Sequence, residues 1–99
     1  AFCGIADPQS FFKSILMLGI NIQDKRIYKD HQNYNKTVIN QLSQQIKKNN
    51  GTKVITTEKD LVKLPDSFID VFEIYIIKIN IIIKDDSLIK NKINSLLIN

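Results

Sequence analysis

The chain has 99 residues, 43% of them hydrophobic and 24% charged, with a formal net charge of +4. That length and balance fit one domain around one core, and exclude disorder and collagen-like repeats. The positive charge does not point to nucleic acid: Arg26 is the sole arginine, the lysines are scattered, and genome AT-richness accounts for lysine, isoleucine and asparagine together.

Ala1–Ala6 is short, apolar and β-prone, the pattern of a buried strand. Its Cys3 is the only cysteine, so neither an internal disulfide nor a Cys/His zinc site is expected, and it reads as a small buried hydrophobe. Asp7 followed by Pro8 marks a helix start, because Asp caps free amides and proline has no amide to leave unpaired. Phe11, Phe12, Ile15, Leu16 and Leu18 follow at mostly helical spacing, and Gly19 is the expected left-handed stop. Ile20–Lys29 reads as a second strand on Ile20, Ile22 and Ile27. Asp30–Tyr34 (DHQNY) has no periodicity and reads as a loop.

Asn35 then caps a helix with its buried stripe at Val38, Ile39, Leu42 and Ile46. Lys47 and Lys48 complement the helix's negative end, and Asn49-Asn50-Gly51 ends it. Lys53–Thr56 is a third strand. Thr57 to Asp60 (TEKD) opens a short helix carrying Leu61, Val62 and Leu64, closed by Pro65, and residues 66–70 read as a loop. Phe72–Ile82 reads as a fourth strand. Asp85-Asp86 opens a last helix with Leu88, Ile89, Ile93, Leu96 and Leu97 inside. The longest apolar stretch, residues 71–83, is interrupted by Glu73, Lys78 and Asn80. It falls short of the ~17–25 residues a membrane helix needs, so a soluble piece is expected. With no initiating methionine and a strand at its first residue, the chain reads as lacking its start.

Alternating strands and helices predict a parallel α/β unit with right-handed crossovers. All three strand-to-helix loops then share the carboxyl edge of the sheet, where open α/β sheets bind ligands. The polar clusters DP, DHQNY and TEKD fall there.

His31 is the only histidine. Imidazole titrates near neutral pH and can take or share a hydroxyl proton, with Asp30 holding its orientation; a solvated loop histidine is the plain alternative. In TEKD, the Thr57–Asp60 spacing matches a capping box, in which Asp60 would reach back to the amide of Thr57. Such a cap, worth about 0.5–2 kcal/mol, accounts for these residues without a ligand. Lys59 is not needed for capping, and its charge at a helix start would be offset by a nearby anion. Gly4 alone does not make a phosphate-binding loop, and Asp7 would compete with phosphate for the helix amides.

Three motifs in order resemble one family. Gly4-Ile5-Ala6-Asp7-Pro8 with Phe11 and Phe12 is similar to the "GI-x-x-P-x-x-F" turn of tetraacyldisaccharide 4'-kinases, and Leu18-Gly19 ends its helix as in that family. Asp30-His31 with Tyr34 resembles its "DH-x-x-Y/F" loop, and Thr57-Glu58-Lys59-Asp60 with Val62-Lys63 its "TEKD-x-VK" signature. The resemblance covers essentially the whole chain. It implies a single α/β domain over residues 1–99: the C-terminal lobe, three-layer α/β/α with a mostly parallel sheet, of a P-loop NTPase-related kinase. The implied reaction moves the γ-phosphate of ATP, with Mg2+, to the 4'-hydroxyl of a tetraacylated glucosamine disaccharide 1-phosphate, giving lipid IVA. It takes place at the cytoplasmic face of the bacterial inner membrane.

By the same resemblance His31 acts with an aspartate of the N-terminal lobe on the acceptor hydroxyl, with Asp30 as the carboxylate beside it. Thr57, Glu58, Lys59 and Asp60 line the cofactor cleft without individual roles, and no metal ligand is expected. The Walker-type loop, the Mg2+ ligands and the membrane-binding helix belong to the other lobe, so this chain alone is expected to be inactive. Gln32 departs from the family, where many members carry a second histidine. A stand-alone Rossmann-like binding module, its polar loops serving only as caps, is the competing expectation.

Overall fold

The computed structural model describes residues 1–78 and 81–85. It keeps the expected alternation of elements, with strands shorter than the apolar runs that mark them. β1 (Phe2–Cys3) pairs in parallel with β2 (Arg26–Ile27), Phe2 opposite Arg26 and Cys3 opposite Ile27. The expected strand over Ile20–Lys29 is thus only two residues long, because Ile20 and Ile22 pack beside Cys3 instead of joining a ladder. Between the two strands runs α1 (Pro8–Met17). Asp7 caps it, accepting from the Ser10 hydroxyl at 2.6 Å and the Ser10 amide at 3.2 Å, and those two bonds hold its carboxyl below the usual range. Gly19 takes φ 79°, the left-handed stop. Phe11, Phe12 and Ile15 are buried, whereas Leu16 and Leu18 of the expected stripe face outward.

α2 (Lys36–Lys48) starts at Asn35, whose side chain accepts from the Val38 amide at 3.0 Å. Its left-handed stop is Asn50, at φ 57°. Gly51 serves close approach instead: its amide donates to Ile46 O at 2.8 Å, and a Cβ there would sit 2.9 Å from Ile46 Cγ2. β3 (Lys53–Thr56) has the expected bounds and is followed by α3 (Glu58–Leu61), capped by Thr57. Residues 66–70, expected as a loop, contain a one-turn helix, α4 (Asp66–Ile69). Four residues are too few to show a period, and what fixes the turn is burial of Phe68 and Ile69.

β4 (Glu73–Lys78) pairs in parallel with β3, from Lys53 opposite Glu73 to Thr56 opposite Ile76. The expected single strand over Phe72–Ile82 divides. β5 (Ile81–Asp85) returns antiparallel to β4, from Ile74 opposite Asp85 to Lys78 opposite Ile81. The second half of the apolar run thereby covers the edge that the first half would leave open. Asp85 therefore ends a strand instead of opening a helix, and the rest of that expected helix lies outside the described residues.

Alternation along the strands sends neighbouring side chains to opposite faces. Phe2, Val54, Ile74 and Ile76 join Tyr34, residues of α2 to α4, and Leu64 and Phe72 in one cluster. Cys3 joins Phe11, Phe12 and Ile15 of α1 in another, with Ile55 and Ile77 partly buried against it. Among the described residues no helix is long and apolar enough to cross a membrane.

Candidate functional site

The turn after β1, the loop after β2 and the start of α3 meet at Gly4. Its carbonyl accepts from the His31 amide at 3.2 Å, and its amide donates to both carboxylate oxygens of Asp60, at 3.1 Å each. Only a residue without a side chain fits this contact. A Cβ on Gly4 would stand 2.9 Å from Gln32 Cβ, 3.0 Å from Lys29 O and 3.2 Å from Tyr34 Oη. The expected juxtaposition of DHQNY and TEKD on one rim is thus made through a glycine of the first motif.

Asp60 is 0% exposed. Besides the Gly4 amide, it accepts from Tyr34 Oη at 2.8 Å and from Thr57 Oγ1 at 2.6 Å. The first half of the capping box forms, since Thr57 Oγ1 accepts from the Asp60 amide at 3.1 Å. The reciprocal half is replaced: the carboxylate turns to Gly4, 56 residues away in sequence, because that buried amide needs an acceptor. Three donors, with the Gly4 amide shared between both oxygens, fill the acceptor positions of this carboxylate. Tyr34 is pushed well above the ordinary tyrosine range, first by burial and then by its bond to Asp60.

His31 takes φ 59°, a left-handed conformation that histidine tolerates better than most residues. Its side chain is 79% exposed, with Asp30 Oδ2 at 3.6 Å from Nε2. That separation is beyond a hydrogen bond, so Asp30 does not fix the ring's orientation. Exposed at a sheet edge, an imidazole with a carboxylate beside it can accept a proton from a hydroxyl brought to it. Thr57 is half-buried at the cap, Lys59 is exposed in the first turn of α3, and Glu58 pairs with Lys78 across 3.1 Å.

Sequence reasoning gave no role to Gly4 or Tyr34. The DH-x-x-Y spacing held the signal for Tyr34, since a tyrosine three residues beyond His31 can reach back beneath the loop.

Among the described residues no three of His, Cys, Asp or Glu gather as a metal-holding group. The Gly4 amide is committed to Asp60, and Asp7 occupies the start of α1. These residues do not by themselves fit an ATP–Mg2+ site. A cavity of about 530 Å3 opens at the amino end of the strands, lined by Phe2, Ile22, Leu42, Ile46 and Val54 among others. None of Asp30, His31 and Thr57 to Asp60 lines it.

The profile of the family described as tetraacyldisaccharide-1-P 4'-kinase matches residues 1–97. A tetraacyldisaccharide 4'-kinase of Rickettsia bellii is 45% identical over 67 residues, 68% of this chain and 21% of that protein. One of Desulfotalea psychrophila is 37% identical over 75 residues, 76% of this chain and 21% of that protein. One of Nitrobacter hamburgensis is 39% identical over 67 residues, 68% of this chain and 20% of that protein. The chain spans about a fifth of the length of these curated relatives. No solved structure matches it significantly. With all three motifs meeting at one rim and the profile running from residue 1 to residue 97, the chain belongs to the tetraacyldisaccharide-1-P 4'-kinase family.

Proposed function

We propose that this chain is the C-terminal portion of a lipid A 4'-kinase, which transfers the γ-phosphate of ATP to the 4'-hydroxyl of tetraacyldisaccharide 1-phosphate, giving lipid IVA. His31 acts at the acceptor. Its imidazole takes or shares the hydroxyl proton as the oxygen attacks phosphorus, with the Asp30 carboxylate beside the ring. ATP and Mg2+ would be held mainly by the remainder of the longer protein, where the metal would neutralise charge on the phosphates. Thr57, Glu58 and Lys59 line the same rim, with Asp60 behind it. Contact with the cytoplasmic face of the inner membrane belongs to the remainder as well.

The observation that carries this reading is the convergence on Gly4, which sets an exposed imidazole at the carboxyl edge of parallel strands. The strands form two small sheets, β1-β2 and β3-β4-β5, with α1 in one core cluster and α2 to α4 in the other, an arrangement compatible with a three-layer lobe. Transfer of label from γ-labelled ATP to the disaccharide tests it. The full-length protein carrying this chain is expected to turn over and the 99-residue chain alone to be silent; turnover by the chain alone refutes this division of labour. The helix caps at Asp7, Asn35 and Thr57 suit a stand-alone binding module equally well, but that reading expects no loss of function on replacing His31.

A further inference from the structure

The His31 side chain has little to hold it: it is exposed, and Asp30 stands beyond hydrogen-bond distance. Its position therefore depends on the backbone. Two tethers fix that backbone, and both lead to one group. At one end the His31 amide donates to Gly4 O, while the Gly4 amide is clamped by both oxygens of Asp60. At the other, Tyr34 Oη donates to Asp60 Oδ1 at 2.8 Å. The carboxylate is itself held by Thr57 Oγ1 at 2.6 Å and by its place in α3.

We propose that Asp60 is a positioning residue for His31, acting through Gly4 and Tyr34 to fix segment 31–34 at the rim where the acceptor hydroxyl binds. The proposal rests on the assignment of His31 to that hydroxyl. Both acceptor oxygens matter to it. Asparagine would present an NH2 group toward the Gly4 amide, and an amide, unlike the hydroxyls of Tyr34 and Thr57, has no way to turn round and accept. Tyr34→Phe is the milder probe, since it removes one tether and keeps the buried ring.

The test is a mutant cycle in the full-length protein, with hydrogen exchange on the 99-residue chain beside it. Tyr34→Phe and Asp60→Asn are expected to lower kcat by about 10- to 100-fold, the scale for a misplaced catalytic group, with KM for ATP unchanged. On a His31→Asn background neither is expected to lower it further, because the residue they position is already gone. The Gly4 and His31 amides are expected to exchange faster in Tyr34→Phe but not in Tyr28→Phe, a ring packed on Tyr34 with a centroid distance of 5.5 Å. Unchanged kcat in both single variants overturns the proposal. So does an equal further loss on the His31→Asn background, which marks a merely structural role. Full turnover by His31→Asn alone overturns the acceptor assignment first, before any Asp60 variant is assayed.

Discussion

Tyr34 and Asp60, 26 residues apart, share a buried hydrogen bond of 2.8 Å that joins the loop after β2 to the first turn of α3. The ring of Tyr34 also packs edge-on against Phe2, with centroids 5.8 Å apart. Polar tether and apolar core are thus continuous at this point. A carboxylate enclosed among apolar groups is stable only while its acceptor positions are filled, and the same holds for the donors that face it.

Asp60→Ala removes the acceptor and strands the Gly4 amide and two hydroxyls. A buried donor left unsatisfied costs about 1–3 kcal/mol. The variant is expected to lose roughly 3 kcal/mol or more, a large share of the ~5–15 kcal/mol typical of a domain. Urea unfolding followed by circular dichroism measures this; a loss under about 1 kcal/mol would mean that solvent reaches these donors.

Gly4→Ala tests the close approach. The three atoms that a Cβ would meet include the Lys29 carbonyl, which belongs to backbone and yields only if the loop shifts. Overpacking of this kind costs about 1–3 kcal/mol. Gly19→Ala meets no atom within 4 Å and bears only the left-handed backbone penalty, about 1–2 kcal/mol. Exchange at the His31 amide separates the two, being faster in Gly4→Ala and unchanged in Gly19→Ala.

Local chemistry was legible in the sequence where it decides the outcome by itself. The caps at Asp7, Asn35 and Thr57 and the stop at Gly19 follow from residue type and spacing, and all four are present. Pairing was less legible. Residues 72–82 form one apolar run, and nothing in its pattern says that β4 ends at Lys78 while β5 returns along it. Asp60 was read as half of a capping box because spacing reports only neighbours along the chain. Its partner Gly4 follows β1, in a different sheet from β3, and tertiary packing brings the two together, so no local rule contains that bond. The convergence of the polar loops on one rim was legible for the opposite reason: parallel strands with helical crossovers leave no other edge for them.

Stability is expected to fall at alkaline pH. Burial pushes the Cys3 thiol from 9.0 up to about 11, with the nearby Asp60 charge adding to it. Between those values the unfolded chain has lost a proton that the folded chain keeps. The contribution is therefore complete below pH 9 and lost as pH rises toward 11. Tyr34, also raised, acts with the same sign. Urea midpoints measured from pH 8 to 10.5 are expected to decline, more shallowly in Cys3→Ala; a midpoint independent of pH over that range contradicts the burial of both groups.

Thr56 is fully buried at the end of β3, and its Oγ1 has no hydrogen-bond partner among the described residues. Valine has nearly the same shape without the hydroxyl and suits a strand. Thr56→Val is expected to raise stability by about 1 kcal/mol, since an unsatisfied buried hydroxyl is removed. A loss of stability instead would show that the hydroxyl is satisfied in solution.

Replacing His31 requires care, because the residue combines a chemical group with a left-handed backbone. Alanine removes the imidazole but adds a backbone penalty of about 1–2 kcal/mol, so slow turnover in His31→Ala mixes two causes. Asparagine accepts the left-handed conformation, and glycine accepts it at no steric cost. In the full-length protein, His31→Asn and His31→Gly are expected to lower kcat by about 100- to 10,000-fold, the range for losing a general base, with thermal midpoints close to the parent. Because the site is open, imidazole in the buffer is expected to restore part of the turnover to His31→Gly and none to His31→Asn, whose side chain fills the space. Wild-type turnover in His31→Asn with the fold intact would remove His31 from the chemistry. The rim would then be three loops tied together by Asp60 for the sake of the fold, as a binding module without catalysis requires.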